Sequence, residues 1–70
     1  MQVISSLPGR VRLKNPYIYY DKDLSEYINF YLETLVGVNY SKVNHNSATI
    51  LIEYDKDKIN LDEIMKKLTT

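Results

Sequence analysis

Ser6-Leu7-Pro8-Gly9-Arg10-Val11-Arg12-Leu13-Lys14 decides how many strands this chain can form. Arg10, Arg12 and Lys14 alternate with Val11 and Leu13, the period-two pattern of a strand with one buried face. Val3 and its neighbours extend the same character upstream, so residues 2–14 read as extended chain interrupted at Pro8-Gly9. Leu7-Pro8-Gly9-Arg10 fits a type II turn, with proline pre-set at the second position and glycine supplying positive φ at the third. Two outcomes follow: one long strand kinked at Pro8-Gly9, or a hairpin that lays Val3–Ser6 beside Arg10–Lys14. Type II turns match the twist of a hairpin poorly, which favours the kink on local grounds. Covering an otherwise open sheet edge favours the hairpin.

Outward from this segment, Asn15-Pro16 ends the strand, because proline cannot donate to a ladder. Tyr17–Tyr20 is a connector, and Asp21 or Asp23 can cap a helix by accepting backbone N–H groups. Leu24, Tyr27, Ile28, Tyr31, Leu32, Leu35 and Val36 then recur at spacings of three and four, one continuous helical face. Gly37 is expected to end that helix in left-handed geometry. Val38–Val43 reads as a strand, Asn44-His45-Asn46-Ser47 as a turn, and Ala48–Tyr54 as the clearest strand of all. Its residues Ala48, Ile50, Ile52 and Tyr54 share one face, while Thr49, Leu51 and Glu53 share the other. Asp55-Lys56-Asp57-Lys58 is a charged loop. Asn60, with Glu63 three residues on, opens a second helix whose apolar face is Leu61, Ile64, Met65 and Leu68.

The order β-α-β-β-α gives both helices one sheet face to cover, a two-layer α+β sandwich. This is the split βαβ, ferredoxin-like arrangement with its final strand absent or replaced by the N-terminal strand segment. Residues 1–70 form a single domain. At that length the expected stability is roughly 3–5 kcal/mol, and the 44% apolar content must supply it, since the chain has no cysteine to cross-link.

Composition removes several classes of function. Without cysteine there are no thiolates for zinc, copper or an iron–sulfur cluster. Nine basic and nine acidic residues leave no net charge, so the footprint of a nucleic-acid module is missing from the totals. No run approaches the roughly 20 apolar residues of a membrane span, and the opening residues lack the pattern of a signal peptide. The expected setting is cytoplasmic, either alone or as the cytoplasmic part of a membrane protein. One histidine, His45, in a polar turn, and two glycines give no catalytic triad and no phosphate loop. Asp55 and Asp57 lack the remaining ligands of a calcium loop. No enzyme is expected.

Two sets of residues remain as candidate sites. Arg10, Arg12 and Lys14 leave one face of their strand, beside the Pro8-Gly9 turn, and offer an anion or an acidic partner a place to dock. The plain alternative is cross-strand pairing with Glu53 that only keeps the open face soluble. Asp21 and Asp23, with His45, offer oxygen and nitrogen ligands to a harder ion such as iron or another divalent cation. Their plain alternative is an acidic helix N-terminus that suits the helix dipole.

The stretch Ser6–Lys14 resembles the opening of a divergent branch of the heavy-metal-associated (HMA) domain family. Leu35-Val36-Gly37-Val38 is similar to the family's helix-ending Gly-Val. Ser41-Lys42-Val43-Asn44 and Ala48–Asp55 are similar to its second and third strands, and the helix within Lys58–Leu68 agrees in position. The resemblance implies a ferredoxin-like domain, standing alone as a metallochaperone or at the cytoplasmic N-terminus of a metal-transporting P-type ATPase. It also implies a Cys-x-x-Cys loop before the first helix. Here that loop is Tyr19-Tyr20-Asp21-Lys22-Asp23, so two-cysteine delivery of copper(I) or zinc is excluded. The expectation is a non-catalytic regulatory or protein-interaction domain linked to metal homeostasis, with no cofactor. A protein, or the cytoplasmic domains of a metal transporter, is the expected partner, without nucleic acid or direct membrane insertion. A metal-binding domain for a hard ion and a self-association module are the alternatives.

Overall fold

The computed structural model describes residues 1–69. Strands β1 (Gln2–Leu7) and β2 (Arg10–Lys14) lead through a 3₁₀ turn (Pro16–Ile18) to helix α1 (Lys22–Glu33). Strands β3 (Val38–Asn44) and β4 (Thr49–Tyr54) and helix α2 (Leu61–Thr69) follow. The sheet is antiparallel throughout, in the order β1-β2-β4-β3. This is a ferredoxin-like α+β sandwich in which the N-terminal strand occupies the edge that a final strand would otherwise take.

The hairpin forms, against the preference of its turn type. Gly9 adopts φ +82°, the value a type II turn demands at its third position. Leu7 then faces Arg10, and the pairing continues as far as Gln2 with Lys14. A register shift between Val3 and Ser5 makes a bulge at Ile4. Bulges increase local right-handed twist, the sense that strand pairing in a hairpin requires. The Tyr54 N–H donates to the Gly9 carbonyl at 2.9 Å, pinning the turn to β4. Ladder pairing and the tie to β4 outweigh the local mismatch.

The core lies between sheet and helices. Val11 and Leu13 from β2, Ile50, Ile52 and Tyr54 from β4, with Ile18, Leu32, Ala48, Ile59 and Ile64, are its buried apolar members. Period two in the strands is thus read correctly. Three readings along the chain need correction. Ala48 points inward, but it lies in the preceding turn at φ +58° and the ladder begins at Thr49. Ile18, read as part of a connector, is fully buried.

The third correction concerns α1, which stops at Glu33 instead of running to Val36. Tyr27 and Val36 stand 67% and 82% exposed, so they are not part of a continuous buried face. Gly37 has the expected left-handed conformation (φ +99°) but does not cap the helix. It is the third residue of a separate turn closed by the Val38 N–H on the Leu35 carbonyl at 3.2 Å. The helix is rotated by a polar contact: Ser41 Oγ donates to Asn29 Oδ1 at 2.8 Å, and Ser25 and Ser41 are buried. These small polar residues take the buried positions, and Tyr27 stands outside them.

The helix starts agree with their caps. The Leu24 N–H donates to Asp21 Oδ1 at 2.9 Å, and the Glu63 N–H to Asn60 Oδ1 at 2.8 Å. Asp21 is therefore the cap, and Asp23 sits in the first turn. No helix among the described residues is long and apolar enough to cross a membrane.

Candidate functional site

The uncovered face of the sheet carries the candidate docking residues. Burial of Val11 and Leu13 turns Arg10, Arg12 and Lys14 away from the helices. On β4 their partners are Glu53, Leu51 and Thr49; on β1 they are Leu7, Ser5 and Gln2. Beyond β4 stand Tyr40, Lys42 and Asn44 of β3. Among these strand residues Glu53 is the single acid, against four cations. The chain's zero net charge therefore conceals a basic sheet face, with Asp23, Glu26 and Glu33 on α1 and Asp62 and Glu63 on α2.

Arg10 lies directly opposite Glu53, the arrangement expected for cross-strand pairing. Yet the guanidinium of neither Arg10 nor Arg12 makes an ion pair or hydrogen bond with another described residue. Arg12 separates two shallow grooves of about 340 Å³ each. One is lined by Ser5, Ser6, Leu7, Arg10, Arg12 and Leu51. The other is lined by Arg12, Tyr40, Lys42, Asn44, Thr49 and Leu51. Both arginines are exposed, and the side chains lining the first groove with them are apolar or hydroxylic.

The other members of the proposed row are placed differently. Lys14 is half-buried, its Nζ 5.4 Å from the centroid of the Tyr19 ring, a cation–π contact that engages it within the fold. Pro8 is exposed at the hairpin tip, and Gly9 is close enough to Tyr54 that a Cβ there would lie 3.0 Å from the carbonyl oxygen. Both shape the hairpin without lining either groove. Ser5, Ser6, Leu7 and Leu51 complete the first groove, and strand alternation alone does not mark them as site residues. Only the hairpin register sets Leu7 opposite Arg10 and Ser5 opposite Arg12.

The loop before α1 does not fit a resident metal. Its residues Tyr19–Asp23 supply no sulfur, and Asp21 Oδ1 is engaged as the helix cap. Folding does draw His45 toward this loop, since the Tyr20 N–H donates to the His45 carbonyl at 2.9 Å. That contact uses backbone, and among the described residues no three His, Asp or Glu side chains converge as a ligand set. Asp23 stands in the first helical turn, where its charge favours the helix dipole.

Comparison with curated proteins gives no match, and comparison with solved structures gives none either. Comparison with family models gives heavy metal associated domain 2, matched over residues 1–69. That match spans every strand and helix of the sandwich, including the cysteine-less loop, and the chain belongs to the heavy metal associated domain 2 family.

Proposed function

We propose that this domain is a non-catalytic docking module of a metal-transport or metal-homeostasis system, working with the cytoplasmic domains of a P-type ATPase. Membership of a heavy-metal-associated family ties it to metal-related function, and such domains are typically non-catalytic. The observation that carries the docking reading is the pair Arg10 and Arg12, exposed on a basic sheet face and unpaired within the fold despite Glu53 opposite Arg10. Guanidinium groups in that state are suited to bidentate recognition of carboxylate or phosphate. A protein partner is favoured over nucleic acid because Tyr40 is the one aromatic among the strand residues of that face, too little for a base-stacking platform. Cytoplasmic residence and the absence of a tightly held metal belong to the same reading.

Calorimetry against purified cytoplasmic domains of a metal-transporting P-type ATPase from the same organism tests it. The wild-type chain is expected to bind, and Arg10→Ala with Arg12→Ala to weaken binding at least tenfold. Unchanged affinity in the double variant would remove the arginines from the interface and the docking assignment with them. Sub-micromolar binding of copper(I) or zinc to the chain would contradict the metal-free part.

A further inference from the structure

The docking face continues into an edge strand that no charge, proline or covering element protects. All six residues of β1 are exposed, with Val3, Ile4 and Leu7 at 42%, 48% and 63%. β1 is the first strand in the sheet order and pairs on one side alone, with β2. Its outer side therefore presents backbone N–H and C=O groups to solvent. Proteins ordinarily blunt such an edge with lysine, proline or an inward-pointing charge. Residues 1–7 contain none of these. The bulge at Ile4 is the one device present, and Ser5–Leu7 continue as regular ladder beyond it.

The groove of Ser5, Ser6, Leu7, Arg10, Arg12 and Leu51 begins at this edge. Adjacent strands lie about 4.8 Å apart, so a strand added outside β1 runs roughly 10 Å from β2. Ser5 is the residue that separates Arg12 from that added strand, and it is too small to block a long side chain reaching over it. Leu7 stands in the same relation to Arg10 and offers an apolar contact. The opposite edge, β3, is a poorer host for an acidic segment, because the groove along it includes Glu33.

We propose that β1 is a strand-addition site: an extended segment of the partner pairs with its outer edge, and carboxylates on alternate residues of that segment reach Arg10 and Arg12. Backbone pairing supplies the mode of binding and the arginines supply the selection. The inference rests on the docking reading above, and it names the partner's chemistry as an extended acidic segment.

The test uses an end-capped eight-residue peptide of alternating valine and glutamate, titrated into the ¹⁵N-labelled chain. Binding is expected to shift amides of residues 2–7 and to slow hydrogen exchange within β1. Exchanging glutamate for glutamine, or making Arg10→Gln with Arg12→Gln, is expected to weaken binding at least tenfold. Two further peptides carry N-methyl groups on alternate residues, one set on each edge of the peptide strand. One set should abolish binding and the other should leave it within a few-fold, since an added strand uses a single edge. Equal tolerance of both sets, with Arg10, Arg12 and Leu51 still shifted, overturns strand addition and leaves the docking reading standing. Protection of β1 that ignores both the arginine variants and the glutamine exchange overturns the acidic identity of the strand and the docking reading together. Shifts centred on β3, or sedimentation showing that β1 is consumed by pairing with a second copy, overturn the proposal as well.

Discussion

Gly9 and Gly37 are the two positions where a side chain has no room. A Cβ on Gly37 would lie 2.8 Å from Ile59 Cγ2 and 3.1 Å from two further carbons, and Ile59 is buried and cannot swing clear. At Gly9 the nearest atom is the Tyr54 carbonyl oxygen at 3.0 Å. Both also hold positive φ, where an L side chain is strained by about 1–2 kcal/mol. Gly9→Ala is therefore expected to cost about 1–2 kcal/mol and Gly37→Ala more, as read from urea midpoints. Arg10→Gln with Arg12→Gln should behave in the opposite way and leave the midpoint within about 0.5 kcal/mol, because neither side chain holds a partner within the fold. Unaltered stability with lost binding is the signature of a recognition residue; a large loss of stability would assign the pair to the scaffold. The alternation around Val11 and Leu13 was sufficient to turn these arginines outward. Alternation could not show that Glu53, directly across from Arg10, leaves it unpaired.

At the level of elements, α1 is fixed by polar contacts at both ends of its buried stripe. Asp21 holds the first turn, and removing such a cap costs about 1 kcal/mol; Asp21→Ala should lower stability by that amount in chemical denaturation. The Ser41–Asn29 hydrogen bond fixes the rotation of the helix over β3. Ser41→Ala leaves a half-buried amide oxygen short of a donor, so a loss of about 1–2 kcal/mol is expected. A double-mutant cycle with Asn29→Ala should return a coupling near 1 kcal/mol, and additive losses would show that the two side chains act separately. This contact explains why apolar spacing placed the helix correctly and misjudged its face. Tyr27 and Val36 fit the period, but the period cannot register that Ser25 bonds the Lys22 carbonyl of its own helix and that Asn29 accepts from Ser41 of β3. The β1–β2 hairpin is a similar case, since turn chemistry argued against an arrangement that the ladder and the Gly9–Tyr54 bond secure.

Across the whole molecule, ten buried apolar residues form the core among the described residues, and the margin is thin. Leu32 is fully buried, and a leucine-to-alanine change in such a site costs about 2–5 kcal/mol. Against an expected stability of roughly 3–5 kcal/mol, Leu32→Ala should leave the chain largely unfolded at 37 °C by far-ultraviolet circular dichroism. Ile52→Val, at about 0.5–1.5 kcal/mol, should leave it folded. The same scale shows how a neutral chain becomes polarised: strand alternation sends cations to the uncovered sheet face, while the helices carry five acids against three lysines. The sequence by itself determined the order β-α-β-β-α from Arg10 onward, the two faces of β2 and β4, the Asn60 cap of α2 and the loss of thiolate chemistry from the Tyr19–Asp23 loop. These follow from local periodicity and side-chain chemistry, which act within a few residues. Tertiary structure alone decided that residues 2–7 close the sheet edge, that Gly37 turns the chain instead of capping a helix, and that Ser5 and Leu7 complete a groove with Arg10 and Arg12. Those outcomes depend on pairings between strands, where ladder bonds and core packing outweigh the local preference of any one turn.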